Sequence, residues 1–108
     1  MIKVRPDDLA AHVIKNLVAR SGVNPDDIED LILGCAFPEG EQGLNVARLI
    51  VHIAELPLSV AGMTLNRFCG SSMQALHIAA GAIQMHAGEV FICAGIESMT
   101  RIPMGGFN

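Results

Sequence analysis

The chain has 108 residues, of which 51% are apolar, 17% charged and 4% aromatic, with a net charge of −4. That length holds one ordinary domain, and the acidic balance, with no Lys/Arg cluster and no Trp or Tyr for base stacking, argues against nucleic-acid binding. No apolar run approaches the roughly 20 residues of a membrane span, and the N-terminus, MIKVRPDDL, lacks the apolar core of a signal peptide.

Pro6-Asp7-Asp8 opens a helix, because proline suits the first turn and acids suit the positive end of the helix dipole. Leu9, Val13 and Leu17, flanked by Ala10 and Ile14, form its apolar stripe, and Gly22 ends it. Asn24-Pro25-Asp26-Asp27 starts a second, very short helix with Asn24 as its cap. Leu31 to Phe37 is a continuous apolar run, the pattern of a strand buried on both faces. Pro38 to Gly43 is a loop. Asn45 is placed to cap a helix running to about Ala54, with Val46, Leu49, Ile50 and Ile53 as its buried stripe. Ser59 to Asn66 and Val90 to Ala94 read as two more strands.

Between them lies a helix from about Ser71 to Ala87. Met73, Leu76, Ala80, Ile83 and Ala87 make one apolar stripe, and Ile78, Ala79 and Ala82 make the opposite side apolar too. A helix apolar nearly all round is buried nearly all round, so this one is expected between two layers. The tail RIPMGGFN reads as a Pro/Gly loop. Helices alternating with strands predict an α/β fold with parallel strands and right-handed crossovers. Globular domains usually carry about 25% charged residues. The lower content here, with that helix, predicts that other protein covers much of the surface.

Cys35, Cys69 and Cys93 are odd in number and widely spaced. That argues against a disulfide framework and a zinc site, and fits a reducing cytoplasm. Cys35 and Cys93 fall inside apolar strands and read as inert. Cys69, in the stretch NRFCGSS, follows a strand and precedes a helix, where ligands of open α/β sheets bind. The helix dipole and nearby amides favour thiolate there. Gly70 lets a substrate approach the backbone, and the Cys69 amide is placed to donate to an oxyanion. The other reading of Cys69 is a small, inert residue of a tight turn, as most free cysteines are.

A nucleophilic cysteine needs a base within hydrogen-bond reach. His77 is two turns further along the same helix, about 12 Å away. His86 is farther, and nothing in the pattern places His12 or His52. Gly40-Glu41-Gln42-Gly43 lacks the spacing and lysine of a phosphate loop, so it reads as a plain loop. Arg67 is either a contact for a substrate phosphate or an ion-pair partner, with Glu97 as the candidate acid. Ser71 and Ser72 read as first-turn capping residues.

Asn66-Arg67-Phe68-Cys69-Gly70-Ser71-Ser72-Met73-Gln74-Ala75-Leu76 resembles the nucleophile segment of thiolases. Gly43-Leu44-Asn45-Val46-Ala47-Arg48 is similar to the family's preceding loop-to-helix segment. Ala94-Gly95-Ile96-Glu97-Ser98-Met99-Thr100 is similar to the strand end that follows. The resemblance is closest to degradative 3-ketoacyl-CoA thiolases. It implies the thiolase fold, two similar α/β halves stacked in five layers. It also implies that Cys69 accepts the acyl group, that its amide serves an oxyanion hole, and that Gly70 and Ser71 bind substrate. Acyl-CoA and CoA are then substrates, with no cofactor and no metal, in cytoplasmic fatty-acid β-oxidation by a homodimer or homotetramer.

Only four residues precede Arg5-Pro6-Asp7-Asp8, where the family has its first strand. The catalytic histidine of the family's Gly-His-Pro motif, the second cysteine of its Cys-x-Gly motif and its Asn-Glu-Ala segment have no counterpart in this sequence. Residues 1–108 are therefore expected to be a partial N-terminal thiolase domain, without the first strand and the C-terminal half, and inactive alone for want of a base. Three alternatives stand beside it: an acetyl-CoA acetyltransferase running toward condensation, a truncated non-catalytic assembly or interaction chain, and a simple redox-thiol protein.

Overall fold

The structure is a computed structural model that describes residues 4–99, 101 and 102. Most of the tail RIPMGGFN, together with Thr100 and the first three residues, lies outside the described residues. Helix α1 (Pro6–Ser21) starts where Pro6 takes a position whose amide has no helical partner anyway. It stops at Gly22, which adopts the left-handed conformation at φ 74°. The short turn expected next is a single 3-10 turn, Pro25–Asp27, and Asn24 caps it by accepting from the Asp26 amide at 3.1 Å.

The chain then runs through β1 (Asp30–Gly34), α2 (Val46–Ile53), β2 (Ala61–Leu65), α3 (Ser71–Gln84) and β3 (Phe91–Gly95). The three strands are parallel, as expected, in the order β2-β1-β3. Side chains alternate across a strand, so in β1 Leu31 and Leu33 pack toward α1 and α2, while Ile32 packs toward α3. All three are buried. The result is one sheet between two helical layers, α1 and α2 on one side and α3 on the other.

Several faces are turned from their expected orientation. In α1 the buried residues are Pro6 and Asp7 at its start and then Ala10, Ala11 and Ile14, while Val13 and Leu17 are exposed. Two alanines side by side let this helix come close, and close approach selects the small face. In α2, Ala47 and Val51 are buried with Val46 and Ile50, and Leu49 and Ile53 point outward. Asn45 does not cap α2 with its side chain. Thr64 of β2 does so instead, accepting from the Ala47 amide at 3.0 Å and donating to Asn45 Oδ1 at 2.7 Å.

Helix α3 meets only half of its expected burial. Ala75 and Ala79 lie against the sheet, with Ile78 half-buried beside them. The opposite stripe, Met73, Leu76 and Ile83, is bare, with Leu76 59% exposed. Both stripes read from the sequence exist, and within the described residues only one is covered.

Candidate active site

The C-terminal ends of the three parallel strands and the start of α3 meet at one edge of the molecule. Gly34, the last residue of β1, is the seat for α3. A Cβ there would lie 2.6 Å from the Ser71 carbonyl carbon and 2.7 Å from the Ser72 amide. Gly95, the matching residue of β3, leaves room for the Ser72 hydroxyl. Two glycines at strand ends thus bring the helix N-terminus down onto the sheet.

The link from β2 to α3 is a single 3-10 turn, Phe68–Gly70, with Cys69 at its centre. Phe68 has φ 46°, a left-handed conformation unusual for a bulky residue. Several bonds hold it. Asn66 Oδ1 accepts from the Phe68 amide at 2.8 Å. Ser71 Oγ accepts from the Arg67 amide and donates to the Phe68 carbonyl, both at 2.7 Å. The Phe68 ring packs edge-on against Phe37, with centroids 6.3 Å apart.

Cys69 is exposed and lines a cleft of about 430 Å3. Gly34, Ala36 and Phe37 form one wall, Gly95, Ile96, Glu97 and Met99 another, and Phe68, Ser71 and Ser72 the floor by the thiol. Glu97 organises the second wall. Its carboxylate accepts from the Ala36 amide at 2.7 Å, the Phe37 amide at 3.3 Å and Gln42 Nε2 at 2.9 Å. Gln42 is fully buried; its Nε2 also donates to the Phe37 carbonyl at 2.8 Å, and its Oε1 accepts from the Ser98 amide at 2.8 Å. The loop read as featureless therefore holds a buried amide that ties the ends of β1 and β3 together. No local pattern marked Gln42, because Glu97 and Ser98 are distant in sequence and Phe37 offers only its backbone carbonyl.

The expected pairing of Arg67 with Glu97 does not form. Arg67 donates to Gln74 Oε1 at 2.6 Å, and Glu97 is taken up by the amides of the opposite wall. Ser71 lines the cleft, but it is buried and its hydroxyl is engaged inside the preceding turn; it does not cap the amides of α3 as expected. Gly70 has open space beside its α-carbon and lies outside the Cys69 cleft, next to Arg67, Met73, Gln74 and His77. The Gly70 amide donates to the Arg67 carbonyl at 3.0 Å, within the turn. His12, His52, His77 and His86 are exposed on helices or at a helix end, and none lines the cleft.

The other two cysteines sit apart from this edge chemically. Cys35 is buried at the end of β1, and burial together with the nearby Glu97 carboxylate pushes its thiol up to about 11. Cys93, in β3, donates to the Ala75 carbonyl at 3.5 Å, and burial raises its thiol as well. Among the described residues no three His, Cys, Asp or Glu side chains gather as metal ligands. No helix among them is long and apolar enough to cross a membrane.

Residues 1–107 match the family model described as "Thiolase, N-terminal domain". A 3-ketoacyl-CoA thiolase of Acinetobacter baylyi is 48% identical over 101 residues, covering 94% of this chain and 26% of that protein. One of Bacillus subtilis is 48% identical over 103 residues, covering 95% and 26%. Among solved structures, the acetyl-CoA acetyltransferase of Bacillus anthracis superposes with a TM-score of 0.87 at 36% identity, covering 94% of this chain and 26% of that one. The chain thus spans about a quarter of the length of the relatives it matches.

Proposed function

The chain belongs to the thiolase family, and from that premise we propose that Cys69 is the acyl-accepting nucleophile of a 3-ketoacyl-CoA thiolase. The observation that carries the reading is the position of Cys69: exposed, at the start of α3, facing a cleft at the ends of parallel strands. Helix N-termini and strand ends are where such sheets bind anionic and carbonyl groups.

In the forward reaction the Cys69 thiolate bonds to the 3-keto carbon. The bond between C2 and C3 then breaks, and its electron pair stays on C2. C2 takes up the proton released from the thiol, and acetyl-CoA leaves. CoA next attacks the Cys69 thioester, its thiol proton returns to Cys69, and the shortened acyl-CoA departs. Both proton transfers need an acid–base group at the sulphur, and no histidine among the described residues lines the cleft. We therefore assign that group, and the second half of the acyl-CoA site, to sequence outside residues 1–108. The intact protein is proposed to be a cytoplasmic homodimer or homotetramer acting on acyl-CoA and CoA in fatty-acid β-oxidation.

The test uses a full-length protein carrying this segment, with the 108-residue chain beside it, and a 3-ketoacyl-CoA, read by intact mass and peptide mapping. One acyl group is expected on Cys69 of the full-length protein before CoA is added and none in its Cys69→Ala variant, and no sustained turnover is expected from the 108-residue chain. Cys35, buried and with its thiol pushed up to about 11, stays unmodified. Acyl groups on Cys93 at the same rate overturn the nucleophile assignment. Sustained thiolysis by the wild-type chain overturns the missing base. A second reading, acetyl-CoA acetyltransferase in the condensation direction, is favoured by the likeness in fold to the Bacillus anthracis acetyl-CoA acetyltransferase. In a full-length protein, the ratio of rates on acetoacetyl-CoA and long-chain 3-ketoacyl-CoA separates the two.

A further inference from the structure

The Cys69 turn is tied to both cleft walls through one residue, Ala36. Asn66 Nδ2 donates to the Ala36 carbonyl at 2.9 Å, and Asn66 Oδ1 accepts from the Phe68 amide at 2.8 Å. The amide of the same Ala36 donates to Glu97 at 2.7 Å. A continuous hydrogen-bonded path therefore runs from Glu97, through Ala36 and the Asn66 side chain, to the residue before Cys69. Glu97 is itself anchored by the fully buried Gln42.

We propose that Asn66 is the positioning residue of the nucleophile, and that Glu97 is its anchor across the cleft. The role rests on Cys69 being the nucleophile. Phe68 at φ 46° holds a left-handed conformation that a bulky residue rarely adopts. Something must hold it there, and the Asn66 carboxamide uses both of its ends to do so. It accepts the strained residue's amide and clamps the turn to the end of β1. A freed turn lets Phe68 relax, which swings the adjacent sulphur out of line with the cleft. Misplacement on the scale of 1 Å is enough to cost orders of magnitude in a directed attack.

The test compares two alkylating reagents on the 108-residue chain, iodoacetamide and its N-benzyl derivative, with Cys93 as internal reference. The apolar lining of Phe37, Phe68, Ile96 and Met99 holds a benzyl group beside a correctly aimed sulphur. Wild-type Cys69 is therefore expected to prefer the benzyl reagent, and Asn66→Ala to lose that preference by about tenfold. Asn66→Asp keeps the acceptor for the Phe68 amide but opposes the Ala36 carbonyl, so it retains part of the preference. Glu97→Gln shifts it in the same direction by less, and it carries the test if Asn66→Ala does not fold. Equal preference in all four proteins overturns the role, as does a wild type with no preference. A change at Cys93 in step with Cys69 also overturns it, since that marks a loosened domain. Neither reagent carries CoA or a ketone, so a failure of acyl transfer to Cys69 is read separately from this result.

Discussion

Two aspartates set opposite pH dependences. Asp7 is buried at the start of α1, and burial alone would raise its carboxyl. The Arg5 guanidinium, at 3.0 and 3.1 Å, and the Asp8 amide, at 2.8 Å, outweigh burial and hold it below the usual range. Its contribution is present above the ordinary carboxyl pKa and is lost as pH falls through the lowered value. Asp30, at the start of β1, is raised by burial, and its Oδ1 has no hydrogen-bond partner. Its sign is the reverse: the native state is favoured below the ordinary pKa, and that advantage is lost as pH rises through the raised value. Asp30→Asn should therefore raise stability at pH 7 by about 0.5 kcal/mol, a small figure because water still screens part of the group. The gain should vanish by about pH 3, below the carboxylate range, in urea melts at both pH values. A gain unchanged at low pH would mean that charge is not its cause.

At the scale of elements, two glycines separate the seated end of α3 from its open stretch. Gly34→Ala drives a methyl into the backbone of Ser71 and Ser72 and should cost about 2 kcal/mol. Gly81→Ala, inside α3 with nothing within 4 Å of the added methyl, should stabilise by about 0.5–1 kcal/mol. Thermal or urea melts of the two variants check this, and a destabilising Gly81→Ala would show that the outward side of α3 is crowded in solution. The order of elements and the parallel sheet were legible, because the apolar runs of β1 and β3 and the caps at Pro6, Gly22 and Asn24 are local signals. The faces of α1 and α2 were not. Val13, Leu17, Leu49 and Ile53 have the right period, but the faces buried where α1 meets α2 and α2 meets β2 carry Ala10, Ala11 and Ala47. Which of two apolar stripes a helix buries is decided by its partner, which periodicity does not contain.

At the scale of the whole molecule, Glu41 joins the beginning of the described chain to its end. It lies 3.5 Å from Arg5 and 2.6 Å from Arg101, at side-chain exposures of 21, 53 and 27%. Glu41→Gln should cost about 1 kcal/mol at low salt and less in 1 M salt, where charges this exposed are screened. Urea melts at the two ionic strengths measure it, and a salt-independent loss would assign the effect to packing instead. The thiol at the head of α3 could be located from sequence, since a strand, a cysteine and a helix follow one another directly. The rest of the cleft could not, because Asn66, Gln42 and Glu97 act through partners far along the chain, with Ala36 and Glu97 61 residues apart.

That separation has a consequence for the order in which the site comes into being. A polypeptide is made from its N-terminus at about 5–20 residues per second, so Cys69 emerges from the ribosome before Glu97 does. Until β3 arrives and pairs with β1, the far wall of the cleft does not exist, and Ala36 has no carboxylate to hold it. Closing so long a loop is a late and slow event in folding. The nascent chain therefore passes through an interval with a mobile, unaimed thiol, and the last strand to dock completes the sheet and aims the cysteine in the same step.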